Sequence, residues 1–157
     1  MTTALVIPGL ETDAPWQVRD RADSAARALA DRHYSRRSLG FRTLGPPGRV
    51  LVLVTPCERA VWVTHWPLYP QDGLDAWRCT LFRNEGAGLS SALIRAAMDA
   101  TAQLWADRPA DGWVTFVDPR AVASSHPGWC FLCAGWWKDR TWKPGRWAPY
   151  LRRLRAA

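Results

Sequence analysis

The sequence predicts an α+β fold with a mixed, mainly antiparallel sheet flanked by helices, and three observations carry that prediction. Two β-branched runs, RVLVLVTP and RAVWVTHWPL, meet through PCE, the pattern of an antiparallel hairpin. From Leu89 onward Leu89, Ala92, Leu93, Ala96, Ala97, Ala100 and Leu104 recur at helical spacing. The remaining segments complete the order β-α-β-β-β-α-β-α-β-β, which reads as an α+β layer. A length of 157 residues suits one domain, 1–157, with a full core.

TALVIPGL is expected to form a short first strand. Asp13 and Pro15 then read as a helix start, with Val18, Ala22, Ala25, Leu29 and His33 along one face. RRSLGFRTLGPPGR is loop. After the hairpin, QDG turns the chain into a third strand, LDAWRCTLF, which ends at RNEGAG, Arg83 to Gly88. RPADG ends the Leu89 helix, and WVTFVDP is a strand stopped by Pro119. A short apolar segment, WCFLCAGW, leads into a Trp-rich hairpin, WWKDRTWKPGRWAPYLRRL, and LRRLRAA reads as a solvated end able to touch phosphate.

The chain carries 21 basic against 14 acidic residues, a net charge of +7, and 19 of the basic residues are Arg. Arg presents a planar fork of donors that fits phosphate oxygens, so this bias suits a phosphate-bearing partner; a GC-rich genome would also favour Arg codons. The longest aliphatic run, Val50 to Val54, is far too short to span a membrane, and no signal peptide is visible, so a soluble, cytoplasmic protein is expected. Only one CxxC occurs, and Cys57 and Cys79 stand alone, so the four cysteines are expected as buried free thiols with no metal. His33, His65 and His126 show no ligand spacing either.

RNEGAG lies between a strand and a helix, where a helix N-terminus and a glycine-rich turn make an anion site. Gly86 and Gly88 let backbone approach the ligand and are expected to leave three bare amides. No Gly-Lys-Ser/Thr follows, which excludes a Walker loop, and a third glycine and a βαβ frame are missing for a dinucleotide fingerprint. DRHYSRR gathers His33, Tyr34 and Ser35 between Arg32, Arg36 and Arg37, which suits a phosphorylated substrate or simply a cationic helix end. Asp118 ends its strand either as a carboxylate that orients an amine or accepts its proton, or as an Asp-Pro turn.

Of the eleven tryptophans, Trp62, Trp66, Trp77 and Trp113 are expected mostly in the core. Trp136, Trp137, Trp142 and Trp147 alternate with Lys138, Arg140, Lys143 and Arg146. That arrangement suits stacking on bases and contact with a nucleic-acid backbone, or a Trp-stabilised hairpin with a basic edge.

Arg83-Asn84-Glu85-Gly86-Ala87-Gly88, followed by a helix carrying Ser90 and Ser91, resembles the pyrophosphate loop of the GNAT acyltransferase superfamily, Arg/Gln-x-x-Gly-x-Gly/Ala. From Arg49 onward the element order is similar to that superfamily's. CFLCAGW resembles the segment where it often has Tyr-x-x-x-Gly-Phe, with Phe131, which has no proton for a departing thiolate, in the tyrosine's place. The resemblance implies a GNAT-like fold that takes acetyl-CoA or another coenzyme A thioester at Leu81, Phe82, Arg83, Asn84, Gly86, Ala87, Gly88, Leu89 and Ser90. It also implies that amides near Leu81 to Arg83 polarise the thioester carbonyl.

His33-Tyr34-Ser35, this loop and a strand ending in Asp118-Pro119 together resemble the phage Mom DNA-modification family, which converts adenine in DNA to N6-carbamoylmethyladenine and shields phage DNA from restriction. That resemblance implies an enzyme in a bacterial host cell acting on the adenine amine of double-stranded DNA. Catalytic roles would fall to His33, Tyr34, Ser35 and Asp118, with Asp118 or His33 as base and Tyr34 able to replace the missing acid. Contacts to nucleic acid would come from Arg32, Arg36, Arg37, Trp137, Lys138, Arg140, Trp142 and Lys143. The rival readings are a GNAT N-acetyltransferase acting on a protein or small-molecule amine, and a DNA-binding module whose cofactor cleft has decayed. The net charge speaks against a basic substrate for the first, and intact Gly86 and Gly88 speak against the second.

Overall fold

Alternation along the strands sorts their side chains onto two faces, each closed by a different helix. The computed structural model describes residues 15–33, 48–122 and 124–157. Its elements are β1 (Gln17–Arg19), α1 (Ser24–Asp31), β2 (Arg49–Val54), β3 (Ala60–Trp66), β4 (Trp77–Asn84), α2 (Ser90–Leu104), β5 (Trp113–Val117), α3 (Trp129–Cys133), β6 (Trp137–Lys138) and β7 (Arg152–Ala156). They build a seven-stranded open sheet in the order β1-β2-β3-β4-β5-β7-β6. Every neighbouring pair is antiparallel except β4 and β5. The fold is therefore mixed α+β with a mainly antiparallel sheet, as the sequence predicts.

Val52, Val54, Val61, Val63 and Leu81 point to one face and pack on Ala26, Leu29 and Ala30 of α1. Leu51, Leu53, Trp62, Trp77, Cys79 and Trp113 point to the other and meet Leu93, Ile94, Ala97 and Ala100 of α2 together with Phe131 of α3. Trp62 and Trp77 are fully buried, and edge-to-face contacts join Trp113 to both, at 5.9 and 5.2 Å between ring centroids. A polar thread crosses this second core. The Trp62 indole donates to Thr64 Oγ1 (2.7 Å), and Thr64 and Thr101 hydroxyls lie 3.1 Å apart. Thr101 spends its own proton on the Ala97 carbonyl (2.9 Å), so Thr64 is the donor between them. The thread fixes α2 against β3 and with it the position of the helix N-terminus.

Several expected elements differ. TALVIPGL lies outside the described residues. Val18 belongs to β1, paired with Leu53, rather than to a helix begun at Asp13 and Pro15. The helix instead starts after Asp23, whose carboxylate accepts from the Ala26 N–H (3.0 Å). Ala22 is exposed, and the buried face is Ala26, Leu29 and Ala30. In α2, Leu89 and Ala92 are exposed while Ser91, Ile94 and Thr101 are buried, a stripe rotated from the one read off small apolar residues. A parallel β4-α2-β5 unit is present, contrary to the reading that no βαβ frame exists.

The final Trp-rich hairpin shrinks to β6, two residues pairing with β7. Trp136 is core, in contact with Phe131 at 5.1 Å. LRRLRAA is not a solvated end but supplies β7, seated between β5 and β6 with Leu154 and Ala156 buried. Two of its three arginines serve the fold: Arg153 pairs with Asp139 (2.7 Å) and Arg155 donates to the Asp111 carbonyl (2.7 Å), while Arg152 is exposed. Of the cysteines only Cys79 is buried; Cys57 and Cys133 are exposed and Cys130 is intermediate. Removing the acceptor at the centre of the polar thread is expected to strand a buried hydroxyl. Thr101→Val should therefore lower stability by about 1–3 kcal/mol, read as a reduced urea midpoint at unchanged slope. An unaltered midpoint would show that the thread contributes nothing.

Candidate functional site

β4 and β5 pair only at Trp77–Trp113, Arg78–Val114 and Cys79–Thr115. At the next residue β4 carries a bulge: Cys79 lies opposite Thr64 and Leu81 opposite Val63, which leaves Thr80 as an extra residue. A bulge bends its strand and increases the twist, and from Thr80 onward β4 parts from β5. The Thr115 hydroxyl donates to the Cys79 carbonyl (2.8 Å) and ties the fork at its apex. Beyond it β4 still pairs with β3 and β5 with β7, but the edges facing one another have no strand partner. Backbone donors and acceptors in such an edge require partners from solvent or a ligand.

The gap is a cleft of about 640 Å³. Its lining comes from both faces of the sheet. Cys79, Phe82 and Val117 belong to the α2 face, while Arg78, Leu81, Val114 and Phe116 belong to the α1 face. The cleft therefore passes between the strands, and two groups entering from opposite sides can meet inside it. Phe131, Cys130 and Gly128 close the α3 end. Gly128 has φ 81°, and a Cβ there would sit 3.0 Å from Leu154 Cδ1, so both the backbone and the space call for glycine.

The loop after β4 is organised by Asn84. Its side-chain oxygen accepts from the Gly86 and Ala87 N–H groups (3.1 and 2.9 Å), and its amide nitrogen donates to the Gly88 carbonyl and Ser90 Oγ (2.7 and 2.9 Å). Two of the amides expected to be bare are thus occupied. What stays open is the first turn of α2, from Leu89 and Ser90, where no side chain caps the helix. Gly88 at φ 148° and Gly86 at φ 96° give the loop its shape, and nothing crowds a Cβ at Gly88. Asn84 and Ser90 line the cleft, so the open helix end borders it.

His33 and Asp118 both line this cleft. Burial and then the neighbouring Arg83 guanidinium lower the His33 imidazole to about 4, against an opposing backbone contact with Phe82. It is neutral at pH 7 and a weak base. Partial burial raises the Asp118 carboxyl, but the Arg120 amide (2.9 Å) and guanidinium (3.4 Å) outweigh it and hold the group below its ordinary range. Asp118 is ionised, suited to accepting a hydrogen bond from an amine. Arg120 is itself stacked on the Tyr150 ring at 3.1 Å.

Tyr34, Ser35, Arg36 and Arg37 lie outside the described residues. Arg32 is not a free cation: it makes a bidentate pair with Glu85. Trp142 packs on Phe116 at 5.3 Å with Arg153 over its ring at 5.5 Å, so it is a wall of the fold rather than an open platform. Trp137, Lys138, Arg140 and Lys143 are exposed. Trp147 is 83% exposed with Arg146 stacked over it at 4.7 Å. Sequence reading missed Thr80, Thr115, Cys79 and Cys130 as cleft residues, because a fork is set by strand pairing and no local pattern marks it. Among the described residues no cluster of His, Cys, Asp or Glu could hold a metal ion, and no helix is long and apolar enough to cross a membrane.

Comparisons with family models, with curated proteins and with solved structures gave no match.

The four thiols report directly on this geometry. Hydrogen bonds from Thr55 and the backbone lower the exposed Cys57 thiol, whereas burial raises Cys130 and, more strongly, Cys79. A colorimetric disulfide reagent is expected to modify Cys57 and Cys133 first, Cys130 more slowly and Cys79 only on unfolding. Rapid labelling of Cys79 in the folded protein, located by peptide mass, would contradict the closed apex.

Proposed function

We propose that the chain is a GNAT-like, Mom-like transferase that uses a coenzyme A thioester to modify the exocyclic amine of adenine in duplex DNA. The observation that carries this reading is the parting of two parallel strands at Thr80, with the open α2 N-terminus bordering one side of the gap and His33 and Asp118 lining it. The residues present fit a thioester of this kind. The edge of β4 that faces the gap from Leu81 to Arg83 has no strand partner and, apart from the Phe82 backbone group that His33 contacts, matches the amides of an extended acyl carrier arm. The loop from Asn84 to Ser90 and the uncapped helix end match its phosphates. When bound, such a thioester supplies an electrophilic carbonyl carbon and a thiolate leaving group, which by themselves place an acyl group on the amine. A carbamoylmethyl group is joined through its methylene and is not an acyl group, so it calls for a derived donor or a further partner that supplies its amide nitrogen.

The chain's own part is positioning. An adenine amine is a poor nucleophile, so it must be held close and aligned. The ionised Asp118 accepts a hydrogen bond from that amine, and neutral His33 lies in the same cleft, able to take a proton that the amine sheds. Phe82 and Phe131 make an apolar wall that keeps water from the electrophile, and Phe131 supplies no proton. A base reaches the cleft only after leaving the duplex stack.

Charge supports a polyanionic partner. From Trp137 to Ala157 there are seven basic residues and one acid, Asp139, which Arg153 already holds. Lys138, Arg140, Lys143, Arg146 and Arg152 are exposed, beside exposed Trp137 and Trp147. Such a surface binds phosphate with an affinity that falls steeply as salt rises.

DNA from phage-infected cells making this protein, digested to nucleosides and weighed, is expected to contain a heavier deoxyadenosine, by the acyl group where the thioester alone is the donor and by a carbamoylmethyl group where the infected cell supplies a derived donor. His33→Ala, which removes the proton acceptor, should reduce the mark by ~10²–10⁴-fold in rate while the protein stays folded. A mass shift on another nucleoside would keep the class and change the base. Unmodified DNA together with an acetylated protein or metabolite would hand the site to an ordinary N-acetyltransferase.

A further inference from the structure

We propose that Glu85 is a positioning residue that clamps the loop after β4 to the end of α1 and thereby sets His33 in the cleft. Its carboxylate accepts from Arg32 Nε (2.8 Å) and Nη2 (2.9 Å), a two-pronged pair of fixed geometry. Arg83 Nε donates to the same oxygen that Arg32 Nε uses, and Arg83 Nη1 reaches back to the Arg32 carbonyl (2.8 Å). The ring is closed through backbone as well as side chains, because the Glu85 N–H donates to the Arg59 carbonyl (2.7 Å) and anchors the loop beside β3. His33 is the next residue after Arg32. Its N–H donates to the Ala30 carbonyl (2.9 Å), and its imidazole lies against the Phe82 backbone.

An exposed ion pair adds little to stability, so a three-residue clamp at this place matters chiefly for geometry. Hydrogen bonds from Arg32 and then Arg83 hold the Glu85 carboxyl at about 2, which keeps the clamp closed throughout the physiological range. The arrangement couples the two ends of the cleft: the loop that borders the open helix end also holds the segment just after α1 that carries His33. Its importance for turnover rests on the reading of the cleft as a reaction site, but the placement of His33 can be measured without any reaction.

The test follows the His33 imidazole by NMR in ¹⁵N-histidine-labelled protein, assigned with His33→Asn. The charged group that acts on it directly is Arg83 on β4; Arg32 precedes it in the chain, Glu85 pairs with both arginines, and Asp118 lines the same cleft. Loss of the Glu85 charge alone removes an anion and would push the imidazole further down. Release of His33 into water would instead raise it from about 4 toward its ordinary value of about 6.5. The two effects have opposite signs. A rise is expected in Glu85→Ala, and a smaller one in Glu85→Gln, which keeps one acceptor. An unchanged or lower value in both overturns the proposal. Calorimetry of wild-type protein with coenzyme A reports separately on the thioester reading, so the two can fail independently.

Discussion

The site depends on one constraint: β4 and β5 stay together for three residues and then cannot. The extra residue at Thr80 bends β4 while β5 continues straight into its pairing with β7, so the backbone that would have joined them faces a gap. Parallel strands joined by a helix are ordinarily buried on both faces and paired along their length. Here the pairing ends where the cleft begins, and the Thr115 hydroxyl on the Cys79 carbonyl marks the last point of closure. Each neighbouring feature is placed by that parting. The loop and α2 follow the far end of β4, Asp118 follows the far end of β5, and Phe131 fills the α3 side.

Packing holds the two arms of the fork apart. β4 is tied to β3 by an antiparallel ladder on both sides of the Thr80 bulge, and α1 packs against that side of the sheet through Leu29 and Ala30. β5 is tied to β7, whose Arg153 and Arg155 are fixed by Asp139 and Asp111. The polar thread from Trp62 to Ala97 sets α2 against β3, so the helix end that borders the cleft is held from within the core. A chain of hydroxyls in an apolar core is costly unless each is satisfied, and here each is. Rigid arms and an open interior suit a site that must bring two reactants together at one place.

Much of this was legible in the sequence. The β2–β3 hairpin follows from β-branched runs, the element order from that hairpin onward matches the one read from the sequence, and the glycine-rich loop is where the strand and helix patterns meet. Asp118 and His33 are near neither each other nor the loop in sequence, yet both line one cleft with Arg83 and Asn84 of the loop, while Gly86, Ala87, Gly88 and Leu89 are not among its lining. What sequence could not show has physical causes. The Thr80 bulge is a matter of register between strands, and neither Thr80 nor Thr115 is an unusual residue for a strand. LRRLRAA looks solvated because its charges are interspersed with Leu and Ala, and only the pairing of β7 between two strands reveals that Arg153 and Arg155 have partners inside the fold. The bare amides counted at Gly86 and Ala87 were taken by Asn84, a side chain whose turn-capping habit competes with any ligand.

The most direct test of a thioester carrier lying along the parted strands is backbone amide NMR of labelled protein during addition of coenzyme A. The account predicts that amides of Thr80 to Asn84 and of Gly88 to Ala92 shift together, with Val117 and Asp118 following on the opposite arm, and that the shifts saturate at one equivalent. Shifts confined to the basic surface from Trp137 onward would mean that the phosphates were held by charge alone, and would contradict the assignment of the cleft.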